Sequence, residues 1–167
     1  MKKFVALLLA VLMVASLCAC GQKGTGSDLQ TVTKGKLIMS TNAEFAPYEY
    51  VADDGKGFQG TGYEGIDIEI AYALAQKLGL ELVVDNMDFD AALSAVQTGK
   101  SDMVAAGVTV TPDRLNAMSF TDSYANGVQV VIVKEGSDIK SIDDLQGKKI
   151  GTQRGTTGYI YCTDDYG

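Results

Sequence analysis

The sequence predicts an α/β fold built on a parallel sheet, and three observations carry that expectation. Apolar strand-like runs alternate with helical stretches from residue 36 to residue 110, the order that a parallel sheet requires. Two of the helical stretches stop at Gly79 and Gly99, in the position of a C-terminal cap. Three loops lie at the strand ends, at 42–48, 86–89 and 107–114, and sheets of this kind bind ligands at those carboxyl ends.

The elements follow in order. "KLIMST" (36–41) reads as a short buried strand, and the loop "NAEFAPYEY" comes next, with Pro47 disfavouring helix just before it. "VADDGKGFQGTG" (51–62) is a turn-rich, hairpin-like excursion. In "EGIDIEIAYALAQKLG", Ile66, Ile70, Leu74 and Leu78 recur every four residues, with Ala71 and Ala75 beside them, which predicts a helix with those residues on its apolar face. Lys77 sits in its last turn, where the dipole favours a cation. "LELVVD" (80–85) is the second strand, Asp90 is the expected cap of a second helix, "AALSAVQTG", and "SDMVAAGVTV" (101–110) is a third strand. "GVQVVIVK" (127–134) and "KKIGTQ" (148–153) read as further strands. Ser141 and Asp144 form a capping-box pattern for a short helix between them, and "YIYCTDDYG" opens another helix.

The first twenty residues do not belong to this fold. Lys2 and Lys3 precede an unbroken apolar run at 4–17, shorter than the roughly 20 residues of a membrane span and suited to a secretory signal. Residues 1–19 are therefore expected to be removed. "GQKGTGSDLQTVTKG" (21–35) is polar, glycine-rich and aperiodic, which predicts a flexible tether. The 167 residues carry a net charge of −7 and contain no histidine. An acidic chain argues against nucleic-acid binding, and the lack of imidazole excludes histidine-based metal sites and acid–base chemistry. Nothing calls for a metal or a cofactor. With Cys18 cleaved and Cys20 at the new terminus, Cys162 is left without an internal partner and reads as a small apolar residue.

Two glycine-rich stretches are false leads. "GTGYEG" (60–65) fits G-x-G-x-x-G, but a dinucleotide fingerprint follows a buried strand, and here polar "ADDGKGFQ" precedes it. "GTQRGTTG" lacks the lysine of a phosphate-binding loop. The single arginine of "AAGVTVTPDRLNAMSF" (105–120) is more informative. Thr111 suits a helix N-cap and Pro112 the first helical position. Arg114 then falls in the first turn, where a cation opposes the helix dipole. Spacing leaves two readings open: an exposed surface charge, or an anion site formed with the free N–H groups. On residue type alone, Phe45 and Phe89 read as core, Thr109 as a strand residue and Gly107 as a bend.

"LCAC" resembles the lipobox of bacterial lipoproteins, in which cleavage precedes the cysteine, here Cys20, and the thiol and new N-terminus are acylated. "TNAEFAPYEY", "EGIDIEIAYALAQKLG", "MDFDAALSAVQTGKSDMVAAGVTVTPDR", "SFTDSYANGVQVVIVK" and "DLQGKKIGTQRGTTG" stand in the order of polar amino acid substrate-binding proteins. These are the ligand-capturing lipoproteins of bacterial ABC importers, and the resemblance runs from about residue 36 to the end. It implies a type II periplasmic-binding-protein fold of two α/β lobes: lobe 1 at 36–126, a crossover strand at 127–134 and the start of lobe 2 at 135–167. It implies that Arg114 pairs with a ligand α-carboxylate, Thr109 bonds the amino acid backbone, and the Gly107 carbonyl accepts from the α-ammonium. By the same resemblance Phe45 and Phe89 sandwich the side chain, and backbone N–H groups near Thr156 and Thr157 close on the carboxylate. Asn42 falls where some binders of basic amino acids carry an acid, so its amide argues weakly against lysine or arginine.

The implied partners are a polar L-amino acid, the permease subunits and a membrane reached through the lipid anchor. Family members continue through lobe 2 and return to finish the sheet of lobe 1, whereas this sequence ends at Gly167. An incomplete product with a poorly covered strand edge is the expectation. Two rival readings share the fold. One is a dehydratase-type enzyme, which needs a placed acid or base; the other is a sensor ectodomain, which ordinarily comes with a transmembrane helix and a signalling domain.

Overall fold

The computed structural model describes residues 29–166. The signal sequence, Cys20 and most of the tether lie outside the described residues. The packed unit begins at Thr31, so the last part of the expected tether belongs to the fold. There the Val32 N–H donates to Asp102 Oδ1 at 2.7 Å, and the same carboxylate takes the Ile38 N–H through Oδ2 at 2.7 Å. One half-buried acid, Asp102, thus ties the entry of the chain to its first strand.

That strand, β1 (Lys36–Thr41), is followed by a small antiparallel sheet of β2 (Glu44–Phe45), β3 (Glu49–Val51) and β4 (Tyr63–Glu64). Then come α1 (Ile66–Leu78), β5 (Glu81–Asn86), α2 (Phe89–Gln97), β6 (Met103–Val104), α3 (Pro112–Ala117) and α4 (Thr157–Tyr166). The main sheet is parallel with order β5-β1-β6. Lys36 to Thr41 pair in register with Glu81 to Asn86, and Met39 and Ser40 with Met103 and Val104. β1 is central, so Leu37, Met39, Ser40 and Thr41 are all buried. The core gathers Met39, Ile68 and Ala71, with Phe58, Tyr63, Leu82, Val84, Met103 and Ala105 packed around them. The hydroxyls in this centre are satisfied: Thr41 Oγ1 donates to the Ala105 carbonyl at 2.6 Å, and Ser40 Oγ to the Ala92 carbonyl at 3.0 Å.

The expected α/β class, the first two strands and the hairpin-like excursion are all present. Gly79 caps α1 in the left-handed conformation, Thr111 caps α3 with Pro112 at its start, and the Ser141/Asp144 capping box forms around a short 3-10 turn, Ile142–Leu145.

Four expectations need correction. First, the buried face of α1 is Ile68, Ala71 and Ala75, together with Asp67, while Ile66, Ile70 and Leu74 are exposed. Both stripes have helical spacing; the alanine stripe lets the helix axis approach the sheet closely, and the bulky stripe is left outward. Second, Asp88 holds the N-cap position of α2 and Asp90 lies in its first turn. Third, the third strand shrinks to Met103–Val104. Beyond it backbone groups find side-chain partners instead of a ladder: Thr41 takes the Ala105 carbonyl, and Asp67 Oδ2 takes the Gly107 N–H at 2.8 Å. Gly107 then turns the chain away with φ of +54°. Fourth, 127–134 and 148–153 form no ladder. Among the described residues no strand pairs with them, and a β-branched run without a partner has no hydrogen bonds to define it as a strand.

Candidate ligand-binding site

The carboxyl ends of the three parallel strands meet at one place. At the end of β1, Asn42 Nδ2 donates to the Met87 carbonyl at 3.0 Å, and the Ala43 N–H donates to Asn86 Oδ1 at 2.8 Å. The Met87 N–H returns to the Thr41 carbonyl at 3.0 Å. The loop after β5 leads into α2, whose first residue, Phe89, is buried. The loop after β6 leads through Gly107 and Thr109 to α3.

Arg114 is the centre of this convergence. It is only 9% exposed, and its guanidinium lies over the Phe89 ring, 5.4 Å from the centroid. Nη1 donates to the Thr109 carbonyl at 2.7 Å and Nη2 to the Gly155 carbonyl at 2.9 Å. Burial pulls the Arg114 pKa below its usual range, and the Asp90 charge acts in the opposite direction. Guanidinium stays charged under such shifts. Among the described residues no carboxylate lies within salt-bridge distance of it. A buried cation faced by neutral carbonyls is costly unless an anion joins it. Of the two readings left open by spacing, the exposed surface charge is therefore excluded.

The other expected residues divide into two groups. Phe89 and Thr109 meet Arg114 directly, although Thr109 enters through its carbonyl and its side chain is exposed, and Asn42 is held at the end of β1 by Met87 and Gln153. Phe45 stands apart, half-exposed and stacked on Tyr48 with centroids 5.2 Å apart. It borders Gly107 so closely that a Cβ there would lie 2.7 Å from Phe45 Cε1. Thr156 and Thr157 are at the start of α4. The Thr156 hydroxyl donates to the Gln153 carbonyl at 2.8 Å, and Thr157 Oγ1 donates to Gln129 Oε1 at 3.3 Å. It is Gly155, just before them, that reaches Arg114.

The sequence reading missed several participants. Gln153 Nε2 donates to Asn42 Oδ1 at 2.8 Å, a bond between residues far apart in the chain that no local pattern announces. A second missed group is buried beneath the Gly107 loop. Glu49 and Asp67 are each 1% exposed. Asp67 Oδ2 takes the Gly107 N–H, and Tyr124 donates its hydroxyl to Oδ1 at 2.7 Å. Burial, then the neighbouring Asp67 carboxyl, push Glu49 up to about 10. Burial, followed by the bond to Asp67, also raises Tyr124. A concavity of about 300 Å³ lies elsewhere, lined by Pro47, Tyr50, Phe58, Glu64, Ile66 and Glu69; none of its residues belongs to the Arg114 cluster.

Residues 37–159 match the bacterial extracellular solute-binding proteins, family 3. This chain belongs to that family. Among its relatives it is 38% identical to the arginine-binding extracellular protein ArtP of Bacillus subtilis over 156 residues, covering 93% of this chain and 57% of the relative. It is 36% identical to a probable histidine-binding protein of Neisseria gonorrhoeae, covering 95% of this chain and 57% of the relative. In structure it resembles the arginine-bound form of truncated ArgBP from T. maritima, with a TM-score of 0.71 and 34% identity, covering 79% of this chain and 60% of that one. The family 3 chain described here thus spans a little over half the length of the curated relatives it matches. The type II periplasmic-binding-protein fold expected from the sequence is the fold of these neighbours.

Proposed function

We propose that this chain carries the ligand-capturing lobe of an extracytoplasmic solute-binding protein that delivers a polar L-amino acid to an ABC permease. The observation that carries this reading is the buried Arg114 guanidinium, faced by the carbonyls of Thr109 and Gly155 and stacked over Phe89. A planar guanidinium matches a carboxylate bidentately. In this reading the ligand carboxylate displaces the two carbonyls. The Thr109 hydroxyl and the Gly107 carbonyl hold the amino acid backbone, Phe45 and Phe89 flank its side chain, and N–H groups near Thr156 and Thr157 close from lobe 2. Asn42 and Gln153 border the side-chain end. Lobe 1 spans 36–126, the crossover 127–134 and the beginning of lobe 2 135–167; capture is hinge closure without a chemical step. Acylation at Cys20 tethers the protein outside the cell membrane.

The relatives include an arginine-binding and a probable histidine-binding protein, and what those ligands share is the α-amino acid core that Arg114 and Gly107 would read. The test is calorimetry on the full-length protein with L-arginine, L-histidine and L-glutamine. One of these binds, and Arg114→Ala weakens it by about 3–5 kcal/mol, because a buried carboxylate loses its partner. A loss below tenfold contradicts the assignment.

A further inference from the structure

We propose that Asp67 is a positioning residue for ligand capture, holding the Gly107 loop through its N–H and tying that loop to Tyr124. This deepens the amino-acid-binding reading and rests on it.

Asp67 is an acid in an unusual place. Asp67 lies in the first turn of α1, where an acid ordinarily complements the helix dipole from the surface; here it is 1% exposed. A buried carboxylate needs hydrogen-bond donors, and two of its donors come from distant parts of the chain. One is the Gly107 N–H at 2.8 Å and the other is the Tyr124 hydroxyl at 2.7 Å. Glu49 from β3 is buried against it and is neutral across the physiological range. Glu49 Oε2 has no partner of its own in hydrogen-bond geometry. A proton held by Glu49 lets two buried carboxyls sit together without two adjacent charges.

The loop it holds is the one the ligand would meet. Gly107 is pinned on two sides. Its N–H is fixed by Asp67, and the Phe45 ring occupies the space of a Cβ. Only the φ and ψ of Gly107 separate that anchored N–H from its carbonyl, and φ is in the left-handed region at +54°. Two residues on is Thr109, whose own carbonyl orients Arg114. Anchoring that N–H leaves only these two torsions between Asp67 and the acceptor for an α-ammonium, and Tyr124 connects the anchor to the segment that leads out of lobe 1. Misplacement of a recognition group by a fraction of an ångström is enough to cost affinity.

Asp67→Asn tests this, because it keeps the size of the side chain but sets an NH2 donor against one of two donors. The full-length protein and the variant are titrated with L-arginine, L-histidine and L-glutamine. Each is paired with the acid that lacks its α-ammonium: 5-guanidinopentanoate, imidazole propanoate and glutaramate. The proposal predicts that preference for the α-amino form falls at least tenfold in Asp67→Asn. A core variant that merely destabilises the fold, such as Ala75→Gly, keeps that preference. If Asp67→Asn does not fold, Tyr124→Phe carries the test, with an expected loss of preference of at least threefold. An unchanged preference in a folded variant overturns the proposal and leaves the Arg114 reading standing. Failure of the wild-type protein to bind any of the amino acids overturns both.

Discussion

Residues 36–117 and residues 119–166 contain comparable apolar runs, yet only the first segment buries them. In the first, "KLIMST" becomes a central strand with Met39, Ser40 and Thr41 fully enclosed, because β5 and β6 pair with it on both sides and α1 covers it. In the second, the longer and more β-branched "GVQVVIVK" stays outside, with Ile132 93% exposed, and Leu145 is its buried hydrophobic residue. The difference is partnership. Hydrophobicity supplies a driving force, but a strand exists only where another backbone satisfies its N–H and C=O groups. What the second segment does contribute is contact at the site: Gly155 to Arg114, Gln153 to Asn42 and Tyr124 to Asp67.

That contrast can be broken or sharpened by substitution. The largest effect is expected from Met39→Ala, which empties the centre of the packed segment. A buried Met→Ala change costs about 2–5 kcal/mol, and chemical denaturation of the full-length protein measures it. A loss under 1 kcal/mol would mean that the β1 core is not what holds the packed segment.

Next is the pH response of Glu49. Its folded-state pKa is raised from the ordinary carboxylate range to about 10, so the folded chain binds this proton more tightly than the unfolded chain. Its contribution is therefore fully present below the unfolded value and is lost as pH rises toward 10. The slope is at most about 1.4 kcal/mol per pH unit for one proton. Glu49→Gln, which carries no titrating proton, should flatten that slope in denaturation curves taken between pH 6 and 9.

A smaller effect is expected from Thr111→Ala. Thr111 Oγ1 accepts the Arg114 N–H at 3.3 Å and caps α3, so its loss costs about 1 kcal/mol. It should also weaken ligand binding, since the helix it starts carries Arg114; parallel denaturation and calorimetry separate the two losses. The smallest effect belongs to the exposed run. Ile132→Thr should change the stability of this 167-residue chain by under about 0.5 kcal/mol, and hydrogen exchange should show β1 amides protected and 127–134 amides unprotected. A destabilisation of 2 kcal/mol would show that the run is buried after all.

How much was legible follows the same line. Local grammar was readable: the Gly79 cap, the Thr111–Pro112 helix start, the Ser141/Asp144 capping box and the alternation that makes a parallel sheet all depend on neighbours in sequence. The buried face of α1 is not legible because two stripes share helical spacing: the bulk of Ile66, Ile70 and Leu74 suggests one face, and the close approach that Ala71 and Ala75 permit selects the other. The unpaired state of 127–134 is not legible because pairing is not a property of one segment. At the site, Arg114 is recognisable from its spacing as either a surface charge or an anion anchor, and its burial removes the first of these. Asp67, Glu49, Tyr124 and Gln153 were invisible because each acts through a partner distant in the chain. Asp67 in particular looks, in "EGIDIEI", like an ordinary acid at a helix start.

The most direct measurement is a crystal structure of the full-length protein with its tightest-binding amino acid from the arginine, histidine and glutamine panel. The account predicts both carboxylate oxygens on the Arg114 guanidinium, over the Phe89 ring, with the Thr109 and Gly155 carbonyls displaced from Nη1 and Nη2. A ligand whose carboxylate sits on another group, while Arg114 keeps those two carbonyls, would contradict it.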